Sequence, residues 1–391
     1  MPPLHPTVRS LGLVSLLTDV SSEMIYPLLP AFLTGTLRAG PAFLGVVEGL
    51  AETVAAFVKL GAGRLSDRLS RRKPLVVAGY SLSSLVRPLV ALAAAPVHVL
   101  IVRLLDRVGK GVRSAPRDAL LTEVTAAADR GRAFGFQRAM DHAGAALGPI
   151  LASGVLLFTG ELRVVFALAA VPAALAVLAL VRGVREEPRG SGVTPVATAA
   201  SAPLEPALVR YLVVLAVFTL GNSSDAFLLL RAQQAGVPLA LVPLLWTLHH
   251  LVKAGAGTWG GALSDRVGRR RVILLGWGIY ALAYAGFAVA ASPLAIVALF
   301  TLYGLFHALT EGAERALVAD LAGEATRGRA FGLFHAVTGA ALLPASLITG
   351  VLWQRLGAPV ALGTGAALAA LAALGLLTLV PPPTPEAGRR S

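Results

Sequence analysis

Long runs of apolar residues dominate the chain, and short polar or charged connections separate one run from the next. Each run holds about 20 residues, the length that crosses ~30 Å of hydrocarbon as a helix. Lipid offers no partners to backbone amides, so such segments form helices. The predicted spans are residues 8–36, 41–61, 74–95, 97–119, 131–158, 162–182, 208–230, 239–259, 271–291, 293–317, 328–353 and 357–380. The pattern therefore predicts an all-α membrane protein with twelve transmembrane helices.

Composition supports this class and excludes others. Hydrophobic residues make up 56% of the 391 positions and charged residues only 14%, whereas a soluble domain carries about 25% charged residues. Because the chain has no cysteine, neither a disulfide framework nor a thiolate metal site is possible. The sequence also has no phosphate-binding glycine loop and no zinc signature. We therefore expect no catalytic residue, no cofactor and no metal, and we expect that the protein is not an enzyme.

Positive charge is concentrated in alternate connections. The net charge of +13 is compatible with nucleic-acid binding, but its distribution follows the positive-inside pattern of membrane proteins. The basic clusters occupy residues 64–73, 130–132, 182–189, 266–271, 327–329 and 389–390. This distribution argues against nucleic acid as a partner and predicts that both termini are cytoplasmic. We expect a multi-pass protein of the cytoplasmic (inner) membrane of a prokaryote.

The two halves of the chain repeat each other. Residues 63–68 (GRLSDR) return at 261–266 (GALSDR), residues 130–135 (RGRAFG) return unchanged at 327–332, and residues 21–23 (SSE) return as 223–225 (SSD). A duplicated six-helix unit implies a pseudo-two-fold axis along the membrane normal, with a cavity between the halves. We predict an N-terminal bundle (1–182), a flexible cytoplasmic linker (183–206), a C-terminal bundle (207–380) and a cytoplasmic tail (381–391).

The connection between helices 2 and 3 of each half follows the pattern Gly-x-x-x-Asp-Arg-x-Gly-Arg-Arg, which resembles the signature of the major facilitator superfamily. The C-terminal copy is complete and includes Gly261, Asp265, Arg266, Gly268 and Arg269. The N-terminal copy has a serine in place of the second glycine and keeps Gly63, Asp67, Arg68 and Arg71. Glycine allows close helix approach, and the charged groups can bind partners across the cytoplasmic face. The resemblance implies a cytoplasmic gate that stabilises the outward-open state.

Helix 5 has small residues at regular spacing, followed by a proline. These residues are Gly135, Gly144, Gly148 and Pro149. Small residues four apart make a flat face for close packing, and proline bends a helix. The pattern resembles the superfamily motif associated with antiporters, mainly exporters, although Ala152 and Ser153 stand where that motif has two further glycines. The resemblance favours export, and ordinary helix packing is the alternative.

Helix 4 is the most highly charged of the predicted spans. At about 100° per residue, five basic residues fall within one ~120° stripe. The stripe consists of Arg103, Arg107, Lys110, Arg113 and Arg117. Because charge at this depth is costly in lipid, we expect the stripe to face a cavity. The run from Arg107 to Gly111 resembles the superfamily's Arg-x-x-Gln-Gly motif with lysine in place of glutamine, which implies a role for Arg107 in proton transfer.

Helix 1 supplies acidic partners for this stripe. Asp19 and Glu23 are four residues apart and share one face of the helix. At a rise of about 1.5 Å per residue, Asp19 is level with Lys110 and Glu23 is near Arg107. A carboxylate that loses a neighbouring cation binds a proton more readily. We therefore predict proton-coupling roles for Asp19, Glu23, Arg107 and Asp141, with a static ion-pair network between helices 1 and 4 as the alternative.

Further polar residues within the spans are candidates for the cavity wall. We expect Glu48 and Arg87 to form a structural pair, because both lie at a similar depth near the outer face. The candidate cavity and substrate residues are Tyr26, Arg103, Lys110, Arg113, Asp225, His307, Glu311 and Glu314. One wall is then basic, from helix 4, and the other acidic, from helix 10.

The superfamily resemblance covers essentially the whole chain. The helix 1 run from Thr18 to Pro27 is also similar to a largely uncharacterised prokaryotic permease branch, and the chain as a whole is drug/proton antiporter-like. The resemblance implies alternating access around a central site. We hypothesise a proton-coupled exporter of small organic or drug-like molecules. Its expected partners are a small-molecule substrate, protons and the lipid bilayer, and we expect the protein to be a monomer. Transport of anionic solutes or metal chelates is the first alternative, and a non-transporting membrane receptor or scaffold is the second.

Overall fold

The computed structural model describes residues 4–69, 71–126, 129–186, 204–322 and 326–381, without the side chains of Asp67, Arg68 and Thr258. Helices account for nearly all of these residues, and none of the described residues is in a β-strand. Most of the predicted linker and almost all of the predicted tail lie outside the described residues. The fold is therefore all-α, as the apolar runs predict.

Within the described ranges, each half contains six helices. The first half consists of α1 (6–36), α2 (Pro41–Arg68), α3 (Lys73–Leu92), α4 (Pro96–Glu123), α5 (Arg130–Thr159) and α6 (Leu162–Gly183). The second half consists of α7 (Pro206–Gln234), α8 (239–267), α9 (Arg269–Val289), α10 (Pro293–Leu321), α11 (Arg327–Leu356) and α12 (Ala358–Leu379). The first helix of each half is irregular. α1 passes from α-helix into a 3-10 turn at Tyr26 and later into a π-helical turn, and α7 is interrupted after Gly221.

Ten of these helices are long and apolar enough to cross a membrane, judged by length and composition. The other two are α1 and α4, and both carry charge: α1 contains Arg9, Asp19 and Glu23, and α4 contains the basic stripe. On α4 the charged side chains Arg103 and Asp106 are buried in protein, which avoids the cost of exposing charge to lipid. α1 and α4 therefore complete the twelve-helix arrangement of two six-helix bundles.

Proline and glycine mark many of the helix boundaries. α2, α4 and α10 begin at Pro41, Pro96 and Pro293. Proline is favoured in the first helical turn because the N–H that it lacks would have no helical partner there. α5 ends at Gly160, whose φ of 70° is a left-handed conformation that favours glycine. The short connections that these residues create bring consecutive helices side by side in each half.

The halves pack against each other through α2 with α11 and through α5 with α8. At the end remote from the chain termini the backbones are in close contact: a methyl group added to Gly350 of α11 would lie 2.7 Å from the Pro41 carbonyl oxygen. Near the termini end, methyl groups added to Gly135 of α5 or Gly332 of α11 would meet nothing within 4 Å. The structure is therefore tightly packed at the remote end and looser at the termini end.

Aromatic side chains fill the core of the C-terminal half. Phe218 stacks on Trp277 with ring centroids 4.4 Å apart, and Tyr280 stacks on Tyr284 at 4.2 Å. The Tyr280 hydroxyl donates to the Gly221 carbonyl oxygen at 2.8 Å. Because that carbonyl lies at the interruption of α7, the bond satisfies a backbone group that the broken helix leaves without a helical partner.

Candidate functional site

A cavity of about 600 Å³ lies between the two halves. Residues of α1 to α5 line it on one side, and residues of α7, α8, α10 and α11 line it on the other. Two contacts across the halves close its remote end: Tyr26 Oη lies 3.5 Å from Ser224 Oγ, and the Trp246 indole N–H donates to Glu23 Oε2 at 2.7 Å. Toward the termini the lining includes exposed side chains such as Arg138, so the cavity opens on that side.

An ion pair joins α4 to α2 near the closed end. Arg103 Nη2 donates to both carboxylate oxygens of Glu48, at 2.8 and 3.0 Å, and both side chains are buried. Glu48 Oε2 also accepts from the Ser224 hydroxyl of α7 at 3.3 Å. A charge this deeply buried is stable only when it is paired and hydrogen-bonded. Glu48 therefore both neutralises Arg103 and contacts the opposite half.

Arg87 of α3 pairs with Asp106 of α4. Its Nη2 donates to Asp106 Oδ1 at 2.9 Å, and its Nη1 donates to the Thr18 carbonyl oxygen at 3.1 Å. The expected pair of Glu48 with Arg87 is therefore wrong. That expectation rests on depth in the membrane alone, and depth does not specify which faces of two helices meet. α3 packs on α4, so Arg87 meets the α4 carboxylate instead.

Arg107 contacts Glu52 of α2, with 3.0 Å between Nε and Oε1, and its Nη1 lies 3.6 Å from Asp106 Oδ2. The sequence places Glu23 near Arg107, but the direct partners of Arg107 are Glu52 and Asp106. Sequence reasoning did not assign Glu52 a role. Glu52 follows Glu48 by four residues, so the two carboxylates share one face of α2. That spacing is the signal that identifies α2 as the acidic neighbour of the α4 stripe.

All five basic residues of the α4 stripe line the cavity, and two of them lack a carboxylate partner. Arg117 lies 2.9 Å from Asp118, so it joins Arg103 and Arg107 as a paired member. For Lys110 and Arg113, no carboxylate lies within 4 Å in the described part of the chain. The Arg113 guanidinium lies 4.3 Å from the centroid of the Tyr80 ring, and its Nη1 is buried without a hydrogen-bond partner.

The acidic residues of α1 pack directly on the small residues of α5. A methyl group added to Gly144 would lie 2.9 Å from the Asp19 Cβ, and one added to Gly148 would lie 3.0 Å from the Glu23 Cβ. Pro149 lies within α5 just beyond. Both carboxylates line the cavity. The glycine pair of α5 therefore allows α1 to approach closely at the two positions that carry its acidic side chains.

Asp19 and Glu23 differ from the other acidic residues of this wall. Among the described residues, neither has a basic group within 4 Å. Glu23 instead accepts from the Trp246 indole at 2.7 Å, and the Ser22 hydroxyl lies 3.4 Å from its other oxygen. Asp141 of α5 also lines the cavity, 3.9 Å from Arg138. The wall thus contains both tightly paired carboxylates and carboxylates without a close cation.

Aromatic and imidazole rings form the opposite wall. The Tyr303 hydroxyl of α10 donates to Asp225 Oδ1 at 2.5 Å. The Trp246 ring lies 4.8 Å from the His250 ring, and the Tyr303 ring lies 4.9 Å from the His307 ring. All five side chains line the cavity. Sequence reasoning had no signal for the contact between Trp246 and Glu23, because the two residues belong to different halves.

Glu311 and Glu314 do not line the cavity, although the sequence predicts them there. Glu311 contacts Lys253 of α8 at 3.0 Å and Arg315 at 3.3 Å. Glu314 Oε1 accepts from the Trp277 indole of α9 at 2.9 Å. Glu314 therefore faces α9, and Glu311 pairs with one cation of α8 and one of its own helix. Because neither carboxylate lines the cavity, the expected acidic wall on α10 is wrong. The acidic group of the second wall is Asp225 on α7.

Within the described side chains, the contacts of the gate motifs lie inside each half. Arg72 pairs with Glu123 in the first half, and Arg269 pairs with Asp265 and with Asp320 (3.3 Å) in the second. The side chains of Asp67 and Arg68 lie outside the described part of the structure. In the first half, a methyl group added to Gly63 would lie 3.6 Å from the Ala115 Cβ, whereas one added to Gly261 would meet nothing within 4 Å. The roles expected for Arg71, Arg266 and Gly268 stay predictions.

Twelve membrane helices around a central cavity with polar walls define a class, the multi-pass membrane transporters. The profile of the Major Facilitator Superfamily matches residues 11–248 and 211–391. An uncharacterized MFS-type transporter of Methanocaldococcus jannaschii is 36% identical over 90% of this chain and 89% of its own length. An uncharacterized protein of Mycobacterium bovis is 29% identical over 95% and 91%. The chain therefore belongs to the major facilitator superfamily, and it is a transporter of small molecules rather than an enzyme.

Solved structures agree on the fold. The nucleoside transporter NupG superposes with a TM-score of 0.78, covering 95% of this chain and 98% of NupG at 13% identity. A bacterial homolog of the human lysosomal transporter Spinster, in an inward-facing conformation, superposes with a TM-score of 0.71 over 95% and 91% at 18% identity. A partial match also exists to the multidrug resistance protein MdtH of Photorhabdus laumondii, 29% identical over 38% of each chain.

Proposed function

We propose that this transporter couples the export of small organic molecules to protons. The observation that carries the proposal is the arrangement of Asp19 and Glu23 on the glycine face of α5. Both carboxylates line the cavity, and no basic group of the described residues lies within 4 Å of either. The α5 motif resembles that of antiporters. The partial similarity to a multidrug resistance protein also supports organic solutes as cargo.

The direction in which the cavity opens is consistent with export. The basic clusters lie on the side of the chain termini, and the positive-inside rule assigns that side to the cytoplasm. The cavity opens toward the same side. In this conformation the site is therefore accessible for loading from the cytoplasm, in a prokaryotic inner membrane.

Proton coupling requires a group that takes part in a contact present in only one of the two conformations, and whose protonation changes the strength of that contact. Glu23 meets this requirement, because its carboxylate accepts the Trp246 N–H from the opposite half at 2.7 Å. That contact must break when the halves separate at the remote end. Protonation weakens a charge-assisted hydrogen bond, so the charge state of Glu23 sets the strength of this contact between the halves. Asp19 lies one helical turn nearer the open end and relays protons between Glu23 and the cytoplasm.

Transport in proteoliposomes with an internal pH dye tests this proposal. A panel of organic solutes is added under an imposed pH gradient. We expect at least one solute to move protons, and we expect Asp19→Asn and Glu23→Gln each to reduce that proton movement about tenfold or more, the scale of losing one required proton carrier. Glu314→Gln is the matched control, because Glu314 is an α10 carboxylate that does not line the cavity.

The outcomes separate coupling from transport. Solute movement without any proton movement would show a facilitator or a different coupling ion. Unchanged proton movement in Asp19→Asn would remove Asp19 from the pathway and leave it a structural role beside Gly144. The sign of the pH change distinguishes exchange of solute for protons from movement of both in one direction.

A further inference from the structure

We infer that Lys110 and Arg113 of α4 bind the acidic group of an organic anion, whose ring lies against the aromatic wall of the C-terminal half. The inference rests on the proposed function, because it names the class of solute that the central cavity accepts. It assigns substrate binding to two residues that stand apart from the ion pairs of α4. The cavity, about 600 Å³ in volume, has room for a solute of this kind.

The first observation is that Arg113 is buried and has a nitrogen without a hydrogen-bond partner. Its side chain is 6% exposed, and Nη1 has no hydrogen-bond partner. An arginine side chain stays protonated in proteins, and a buried charge without a partner is costly. Arg87, Arg103 and Arg107 each have a carboxylate 2.8 to 3.0 Å away, although Nε of Arg87 and of Arg103 is likewise buried without a hydrogen-bond partner. Arg113 differs because, among the described residues, no carboxylate lies within 4 Å and its guanidinium contacts the face of the Tyr80 ring. Its charge is therefore available to an anion that enters the cavity.

Lys110 supplies a second cation at the same place. It precedes Arg113 by three residues, which puts the two side chains on one face of α4, and it is exposed to the cavity. A guanidinium and an ammonium on adjacent turns can bind one carboxylate, sulfonate or phosphate group through charge-assisted hydrogen bonds. Neither residue would need to break an existing ion pair to do so.

Asp19 is the internal competitor for this site. Asp19 lines the same cavity as Lys110 and Arg113, and within the described residues it approaches neither cation within 4 Å. Glu23 and Asp141 are further acidic residues that line this cavity. An anionic solute and the Asp19 carboxylate therefore draw on the same two cations. Removing the Asp19 charge should strengthen anion binding, which is a consequence that a purely structural role of Lys110 and Arg113 does not share.

The opposite wall indicates the chemistry of the part of the solute that does not carry the acidic group. Trp246 and Tyr303 present aromatic rings to the cavity, and His250 and His307 present imidazoles. Both ring nitrogens of His250 and Nε2 of His307 are buried without hydrogen-bond partners. These groups suit a flat ring that carries polar substituents. Lys253, the cation of this wall, is already paired with Glu311 at 3.0 Å. An inorganic anion would leave the rings of this wall unused, so the structure favours an aromatic organic anion.

Binding to the purified full-length protein in detergent, measured by titration calorimetry, tests the inference. The probes are 2-naphthoate, its neutral counterpart 2-naphthamide, and inorganic phosphate. We expect the wild type to bind 2-naphthoate at least tenfold more tightly than the other two. Arg113→Gln and Lys110→Gln should each weaken 2-naphthoate about tenfold, the usual scale for a hydrogen bond to a charged group. Asp19→Asn should strengthen it severalfold.

Control variants keep the result interpretable. Lys59→Gln removes another lining cation nearer the open end and should leave 2-naphthoate affinity unchanged. Arg113→Lys should retain part of the affinity. If loss of the contact with Tyr80 unfolds Arg113→Gln, its thermal transition shows this, and Lys110→Gln carries the test.

Three results would overturn the inference. They are equal affinity for 2-naphthoate and 2-naphthamide, unchanged 2-naphthoate affinity in Lys110→Gln, and phosphate binding as tight as that of 2-naphthoate. Failure of the proposed function looks different. If neutral solutes move with protons and anions are not preferred, only the inference is contradicted. If an anion binds through Lys110 and Arg113 but no solute drives proton movement, only the proposed function is contradicted.

Discussion

The two walls of the cavity come from repeated halves, yet they hold their polar groups in different ways. In the N-terminal wall, arginines and carboxylates form buried ion pairs, such as Arg103 with Glu48. In the C-terminal wall, the carboxylate of Asp225 accepts from an aromatic hydroxyl, that of Tyr303, and rings of tryptophan and histidine surround it. The first arrangement holds helices in fixed positions through charge. The second offers mainly aromatic and imidazole surface to a solute, together with the charged residues Asp225 and Lys253.

The ion pair that recurs at equivalent positions in both halves lies outside the cavity. Arg72 with Glu123 in the first half corresponds to Arg269 with Asp320 in the second, and both pairs link the loop motif to the end of the fourth helix of the half. Contacts that support the bundle therefore recur in both halves, whereas the cavity walls differ. An asymmetric solute needs unlike walls, which gives a physical reason for this difference.

The largest effect we expect comes from breaking an ion pair of the N-terminal wall. Glu48→Gln leaves Arg103 buried beside a neutral group, which costs about 3–5 kcal/mol. The matched change in the other wall, Tyr303→Phe, removes one hydrogen bond to Asp225 and costs about 1–3 kcal/mol. Thermal unfolding in detergent measures both. Equal losses would contradict the contrast between the walls, and the double variant Glu48→Gln/Arg103→Gln should recover part of the loss.

The next effect concerns Gly144 and Gly148 of α5, which allow α1 to approach closely at its acidic residues. In the repeat, the counterparts of Gly144 and Gly148 are Ala341 and Ala345. Gly144→Ala copies the C-terminal half into the N-terminal half, but its methyl group would lie 2.5 Å from the Leu16 carbonyl oxygen. We expect α1 to shift, at a cost of about 1–3 kcal/mol, and transport to fall about tenfold.

Transport rates in proteoliposomes, set against the amount of folded protein, check that prediction. Gly135→Ala is the control on the same helix, because its methyl group would enter open space. If Gly144→Ala transports as fast as Gly135→Ala, then close approach of α1 to α5 is not required for activity.

The smallest effect tests the contact that joins the walls. Trp246→Phe removes the N–H that donates to Glu23 while keeping an aromatic ring at this position. Loss of about 1.5 kcal/mol from the closed remote end should raise the open population roughly tenfold. Because the chain has no native cysteine, labelling of Ser224→Cys by an impermeant maleimide from the outer side reports that population. Unchanged labelling would show that the bond does not hold the halves together.

Sequence reasoning predicted the helices well, because each span carries its own signal in length and apolarity. Pro41, Pro96 and Pro293 start helices where sequence rules place them. The repeated loop motif identified the two halves, and the superfamily comparison confirmed the resemblance. The irregular turns of α1 and the interruption of α7 are not evident from the apolar pattern, since they depend on contacts such as that of Tyr280 with Gly221.

Sequence reasoning about the site succeeded for single helices and failed for pairs of helices. The basic stripe of α4 follows from helical periodicity alone, and all of its members line the cavity. The pair of Glu48 with Arg87 and the acidic wall on α10 were wrong, because each required knowledge of how neighbouring helices are rotated. Glu314 shows the reason: its indole partner, Trp277, lies on α9, and the side chain does not line the cavity.

The amino-acid sequence by itself thus determined the class of protein, the number of spans, the two-fold repeat and the location of the polar residues in the membrane. These properties depend on composition and on periodicity within one segment. Only the tertiary structure decided which charges are paired, that no described carboxylate lies within 4 Å of Lys110 or Arg113, and that Trp246 contacts Glu23 across the halves. Those facts depend on the rotation and distance between helices far apart in the chain, and no local pattern encodes them.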